Sequence, residues 1–311
     1  MTKAKTAKPK PSDLAFNRSI EFEYGALAEV APGVRRLVAN NPGPFTYTGT
    51  NTYVVGSGEV AVIDPGPADP AHLDDLLSAL EGERISHIFL THTHRDHSDL
   101  IEPLRAATGA KVMGYGPTDA PRGFAATGPT SDDFVDHDFS PDRELRTGDS
   151  VKGATWALDA IHTPGHAPDH LCFALQGTRM VFTGDHIMGW NTTVIAPPEG
   201  NMGAYIGSLE CLLDRYDVAF FPGHGGRIKS PRRVVRAYLM HRKWREASIR
   251  ACLGDGLEFI PQIVPRIYAN LDENLVGAAA LSVLAHLEHL VEREVVVCDG
   301  PPSIEAAFSL L

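Results

Sequence analysis

Cysteine is scarce in this chain of 311 residues: Cys172, Cys211, Cys252 and Cys298 are scattered, with no Cys-x-x-Cys spacing. They stand mostly in apolar contexts and read as free core thiols of a protein in a reducing compartment. Also missing is any run approaching the roughly 20 apolar residues of a membrane span, so no membrane anchor is expected. Nor does the start of the chain hold the apolar core of a secretory signal. After Met1 it places Lys3, Lys5, Lys8 and Lys10 among Ala, Thr and Pro, without arginine or large apolar residues. Residues 1–17 are therefore expected to form a disordered basic tail, and the protein to be cytoplasmic. Positive charge is short as well: 28 Lys and Arg face 39 Asp and Glu, for a formal net charge of -11 and a pI near 5.7. That balance argues against a protein whose main task is gripping duplex nucleic acid by its phosphates, although it leaves room for a local basic groove.

What is present in quantity is metal-ligating chemistry. Residues 91 to 97 read Thr-His-Thr-His-Arg-Asp-His. His92, His94, Asp96 and His97 cannot all point one way from a strand, where side chains alternate, or from a helix, where they spread around the axis. They imply a loop wrapped around metal. The preceding Ile85 to Leu90 is apolar and partly β-branched, a buried strand that would deliver this loop at its carboxyl end. The same arrangement recurs downstream. His166 follows strand-like Ala157 to Ile161, with Pro164 and Gly165 forcing a turn; Asp185 follows Met180 to Phe182; His224 follows Val218 to Phe221. Several short strands can thus converge their tips on one place, with enough ligands for two ions and a position left for water.

On these residues the chain resembles a metallo-β-lactamase superfamily hydrolase over roughly residues 34 to 230, since His-x-His-x-Asp-His is followed in order by His, Asp and His. The resemblance implies that His92, His94 and His166 form one zinc site, that Asp96, His97 and His224 form the second, and that Asp185 bridges them. The segments Asn41-Pro-Gly-Pro, Gly49 to Tyr53, Thr91 to His97, and His241-Arg242 followed by Arg245 look most like the beta-lactamase-like protein 2 group. That group adds a small winged-helix-like domain at the C-terminus. The fold implied is α/β, an αββα sandwich over residues 18–230, with a winged-helix-like domain over 231–311. The missing signal counts against a secreted antibiotic-degrading enzyme.

Periodicity adds detail. Strand-like runs fall at Ile20 to Tyr24, Val34 to Ala39, Thr52 to Val55 and Val60 to Ile63, with a hairpin turn at Gly56-Ser-Gly58. A helix fits Ala71 to Leu80, capped by Asp69, started by Pro70 and striped by Leu73, Leu76, Leu77 and Leu80. Leu100 to Ala107 reads as a helix and Lys111 to Met113 as a strand. Residues 114 to 143 are irregular, and His137 among them reads as a surface excursion. Phe45 and Tyr47 would lie beside the metal loop. Ser230-Pro231 is expected to cap and start a helix running toward Leu253. A second helical pattern uses Val276, Ala280, Val283, Leu284, Leu287, Leu290 and Val291, followed by strand-like Glu294 to Cys298. Its Glu288 and Glu292, with no cation before Arg293, suit phosphate contact poorly, so the C-terminal module reads as one for packing, dimerisation or covering a substrate.

The activity expected is dinuclear metal-dependent hydrolysis by a metal-bridged hydroxide, with Asp96 orienting it and relaying its proton. Two Zn²⁺ per chain are expected, with Mn²⁺ or Fe²⁺ as alternatives. The substrate expected is a thioester, ester, lactone or amide of a small molecule. Single-strand RNA phosphodiester cleavage is the alternative implied by the resemblance, and a nucleic-acid-binding regulator with a vestigial site stands behind it. His170 and His186 are candidates to support the ligands or line the pocket. Asp64 and Thr183 read as structural, and Tyr205, Ser208 and Arg242 as contacts of substrate or of helix packing.

Overall fold

In the computed structural model, which describes residue 16 and residues 18–118, 134–269 and 271–311, alternation along the strands sorts the apolar side chains into three layers. One sheet runs in chain order: β1 (Ala28–Ala31), β2 (Val34–Val38), β3 (Asn51–Ser57), β4 (Glu59–Ile63), β5 (Arg84–Phe89), β6 (Lys111–Gly114) and β7 (Arg143–Glu144). Its first strands pair antiparallel and those from β4 onward parallel. The second sheet holds β8 (Ser150–Lys152), β9 (Ala157–His162), β10 (Leu171–Leu175), β11 (Met180–Gly184) and β12 (Ala219–Pro222), antiparallel except for β11 with β12.

Successive residues of a strand face opposite sides, and both sides are used. Tyr53, Val55, Ala61 and Ile63 point to a common core with Leu171, Phe173, Phe182 and Phe221 of the other sheet. Val54, Val60 and Val62 point outward, under α1 (Pro70–Ala79) and α3 (Ile101–Thr108), which follows the single turn α2 (Arg95–Ser98). Cys172, Val181 and Phe220 point outward on the second sheet, beneath α4 (Met202–Leu213) and α5 (Pro231–Gly254). Helix, sheet, sheet, helix is the αββα order anticipated above.

Beyond it, α6 (Ile260–Ile267), α7 (Val276–Glu292) and the hairpin of β13 (Val296–Cys298) with β14 (Phe308–Leu310) gather around a core of their own. The long α5 serves both regions, since Val235 and Tyr238 lie in the core under the second sheet while Ile249 and Leu253 lie in the C-terminal one.

Local rules hold at α1, where the Asp69 carboxylate accepts the Ala71 N–H at 3.0 Å. They fail at α5, whose Ser230 makes no side-chain cap bond, so Pro231 alone marks the start. Ile20 to Tyr24 is not a strand: the Glu21 carbonyl is taken by the Arg36 guanidinium at 2.9 Å instead of a ladder partner. Cys211 is exposed rather than a core thiol, whereas Cys172 and Cys252 are buried. Residues 273–292 are long and apolar enough to cross a membrane by length and composition, contrary to the expectation of no such run. Their Val283, Leu284, Leu287 and Leu290 pack on Ile249, Ile260 and Ile263 as a core helix does. The expected tail lies outside the described residues apart from Phe16, which packs edge-on against Tyr238. Of the irregular stretch, 119–133 also lie outside them.

Candidate metal centre

Strand direction decides where the site forms. β9, β11 and β12 run the same way, so the turns after them open on one edge of the second sheet. The end of β5 joins them because the Leu171 N–H donates to the Thr91 carbonyl at 2.7 Å. Four turns therefore meet: 91–98, 163–166, 184–186 and 223–225. Close approach leaves no room for side chains at the tips. A Cβ on Gly223 would stand 2.6 Å from Asp185 Oδ1 and 2.7 Å from His97 Cε1, and glycine is the residue that permits this.

All seven ligand candidates named from the sequence, His92, His94, Asp96, His97, His166, Asp185 and His224, come together. His94 Nδ1 lies 2.9 Å from His92 Nε2 and 3.1 Å from His166 Nε2. Asp96 Oδ2 lies 3.4 Å from His97 Nε2 and 3.2 Å from His224 Nε2. Asp185 stands between the groups, with Oδ1 at 3.6 Å from His97 and Oδ2 at 3.8 Å from His166 and 3.3 Å from His224. Three sets could each enclose an ion: His92, His94 and His166; His92, His97 and Asp185; Asp96, His97 and His224.

Whether such a site suits metal depends on which way the imidazoles turn. Each directs one nitrogen outward to an oxygen. His92 Nδ1 meets Thr91 Oγ1 at 3.0 Å, His97 Nδ1 meets Asp64 Oδ2 at 3.0 Å, His166 Nδ1 meets the Val194 carbonyl at 2.8 Å, and His224 Nδ1 meets the Gly49 carbonyl at 3.2 Å. His94 Nε2 faces Glu199 Oε2 at 3.6 Å. An outer partner of this kind fixes the tautomer and turns the other nitrogen's lone pair inward. Inward-facing nitrogens at about 3 Å repel one another unless something positive lies between them. His97 Nε2 and Asp185 Oδ1 are buried without a protein hydrogen-bond partner. The donor set fits a divalent cation.

The protein's own charges agree. Burial alone would raise Asp96 and Asp185, but His97 and His224 hold both carboxyls far below the usual range. Burial opposes charge on His97 too, yet Asp96, Asp64 and Asp185 lift it to about 9. Burial and then the neighbouring His94 push His166 down to about 4. Ionised carboxylates that draw positive charge onto His97, beside a neutral His166 with a lone pair to offer, mark a place that attracts a cation.

Asp64 does more than the sequence suggested. Its carboxylate accepts from the Thr91 N–H and Oγ1, both at 2.8 Å, and so holds His92 through Thr91 while it holds His97 directly. The signal available was its place at the end of a buried strand, in Ile63-Asp64-Pro-Gly66. Glu199 and Val194 were not anticipated, and Gly49 only as part of the Gly49 to Tyr53 motif, not as a partner of His224. Tyr205, Ser208 and Arg242 are buried and bond to the backbone of His186, Pro164 and Thr193. Thr183 donates to the Ile187 carbonyl. Tyr47 stacks on Trp190 with ring centroids 5.0 Å apart, on the segment joined to His224 through Thr50.

Comparison with known proteins extends the picture. Residues 46–224 match the profile of the Metallo-beta-lactamase superfamily, and residues 260–301 that of the Beta-lactamase associated winged helix domain. The chain is 35% identical over 289 residues to a Beta-lactamase-like protein 2 homolog of Drosophila melanogaster, covering 86% of this chain and 91% of that protein. It is 31% identical over 235 residues to an atrochrysone carboxyl ACP thioesterase of Claviceps purpurea, covering 75% and 69%. A solved metallo-beta-lactamase family protein of Thermus thermophilus shares the fold with a TM-score of 0.75 at 24% identity, covering 91% of this chain and all of that one.

Proposed function

We propose, from the premise that this chain belongs to the metallo-beta-lactamase superfamily and is a metal-dependent hydrolase with a C-terminal winged helix domain, that it cleaves a small-molecule acyl compound at a two-cation centre. The superfamily uses divalent metals. In this reading His92, His94 and His166 hold one ion, Asp96, His97 and His224 the other, and Asp185 lies between; two Zn²⁺ are the first choice, with Mn²⁺ or Fe²⁺ as alternatives. The observation behind it is the pair of three-residue sets joined by Asp185. A bound divalent cation lowers the pKa of water from about 15.7 to roughly 7 and stabilises negative charge on oxygen.

The chain's own part is to orient and to move a proton. The Asp96 side chain is 29% exposed while that of His97 is fully buried, so its carboxylate is the one open to a reactant. The Thr50 hydroxyl donates to Asp96 Oδ2 at 3.1 Å and fixes its plane, leaving Oδ1 to accept a proton from attacking water. Asp64, through His97 and Thr91, keeps the imidazoles from turning.

A thioester heads the substrate classes, ahead of ester, lactone and amide, because relatives named as thioesterases cover most of the chain. The acidic chain, with its net charge of -11, favours such a substrate over RNA. Four free thiols, two of them buried, suit a reducing cytoplasm, which is part of the proposal. So is the division into residues 18–230 and 231–311, the boundary falling at the start of α5. Metal-loaded protein offered an acyl thioester, an ester, a lactone, nitrocefin and a labelled single-strand RNA is expected to cleave the thioester fastest. Cleavage of the RNA alone would overturn the reading.

A further inference from the structure

A second cluster of charge lies away from the metal centre, where α5 and α7 cross. Arg242 and Arg245 of α5 are 3% and 5% exposed, and His286 of α7 is 1% exposed. Half-buried His241, His289 and Tyr268 complete it. Among the described residues no carboxylate pairs with either arginine, and Glu292 reaches only His289, at 3.7 Å. Buried guanidinium groups ordinarily sit against carboxylates, since an unpaired buried charge is costly.

Packing accounts for these groups only in part: Arg242 donates one terminal N–H to the Thr193 carbonyl and lies 5.0 Å from the Tyr205 ring centroid. The Arg245 guanidinium lies 3.8 Å from the Tyr268 ring centroid and 5.1 Å from that of Trp244. Such contacts use the face of the group and leave its in-plane N–H donors untouched. Arg245 Nε and one terminal nitrogen, Arg242 Nε, both nitrogens of His286 and Nδ1 of His241 are buried without a protein partner. Unpaired buried donors gathered where two helices cross, with no acceptor among the described residues, suit an acceptor with several lone pairs. Burial, then the two arginines, hold His286 far below its ordinary value and His241 at about 3, so at pH 7 each ring is neutral and donates from one nitrogen only.

We propose that Arg242, Arg245, His241, His286 and His289 form a subsite for one compact oxyanion, a phosphate or carboxylate, carried by the substrate. This rests on the small-molecule reading above and names a feature of that substrate: it is anionic at the end away from the scissile bond. Of the five residues, His241 and His289 are half-buried and the other three buried. The cluster also touches the site: Arg242 donates to the Thr193 carbonyl, and the Thr193 hydroxyl donates to the Asp185 carbonyl at 2.7 Å. An enclosed set of donors suits one group better than a strand of nucleic-acid phosphates, which needs an open groove.

The test is isothermal titration calorimetry of the metal-loaded protein with inorganic phosphate and, separately, with glutarate. Arg245→Gln and half-buried His289→Gln are each expected to weaken the preferred anion about tenfold or more, the loss of a charge-assisted bond in the first case, with circular dichroism unchanged in at least the second. Arg245→Lys should recover part of the loss. Whichever anion responds identifies the source. Unaltered affinity in both Gln variants, with binding abolished by Asp96→Asn, would place the anion on the metal and overturn the proposal; so would failure of either anion to bind. Tight binding of a short single-strand RNA that Arg245→Gln abolishes would overturn it in favour of a nucleic-acid partner. If anion binding is lost in the variants while the wild type cleaves no thioester, ester, lactone or amide, the subsite stands and the small-molecule reading fails.

Discussion

Asp96 Oδ2 and His224 Nε2 stand 3.2 Å apart although one follows a strand of the first sheet and the other a strand of the second. The contact spans the sandwich at its open edge. One half of the proposed two-ion centre therefore depends on both sheets keeping their relative position, and a cation held there would tie them together.

Asp96→Asn keeps the side chain's shape and removes its charge. Loss of a ligand carboxylate should weaken the second ion by at least the 10- to 100-fold that even a supporting residue commands. Metal content after dialysis is expected to fall from about two ions per chain to about one, with kcat/KM lowered about 100-fold or more. Mass spectrometry of the metals checks the first figure. Two ions retained by the variant would remove Asp96 from the ligand set.

Glu288 provides a pH signature far from the metal. Burial, then repulsion from Glu292, raises its carboxyl to about 7. The unfolded chain holds the same group near its ordinary 4.5. A carboxyl with a raised folded pKa binds its proton more tightly when folded, so stability declines as pH rises from about 4.5 to about 7 and stays lowered above. Glu288→Gln should therefore unfold like wild type at pH 4 and gain about 1–2 kcal/mol at pH 8, the shift being discounted because the group is only half-buried. Urea denaturation at the two pH values reads the difference. An equal effect at both would show that Glu288 does not titrate with folding.

The ligand candidates were legible because imidazole and carboxylate groups are crowded together beside strand ends. Their supports were less so. Gly49 and Val194 act through backbone carbonyls, which every residue possesses, and Glu199 stands in Pro-Pro-Glu-Gly, which reads as loop. Helix α6 was hidden by Pro261 and Pro265, ordinarily breakers, although the first occupies the start of the helix, where no N–H is needed. Strand β10 and helix α4 escaped because both are apolar on more than one face and lack a clear period. Ile20 to Tyr24 failed the other way: its alternation was present, but no neighbouring strand was.

His170 shows how a residue outside the candidate ligand set can govern it. Its Nε2 accepts from the backbone N–H groups of Asp185 and His186, both at 3.2 Å, and its Nδ1 lies 2.9 Å from Thr163 Oγ1. Accepting at Nε2 requires the neutral ring with its proton on Nδ1, and burial, then neighbouring His186, hold it well below its ordinary pKa. His170→Phe would fill the space but leave two buried N–H donors unsatisfied, at about 1–3 kcal/mol each. A loss of roughly 2–5 kcal/mol is expected in the chelated protein, together with weaker metal retention because the Asp185 backbone is released. His170→Gln, whose amide oxygen can accept, should recover part of both. Urea unfolding and chelator competition measure the two effects separately, and equal behaviour of the Phe and Gln variants would mean that His170 fills volume rather than anchoring the Asp185 turn.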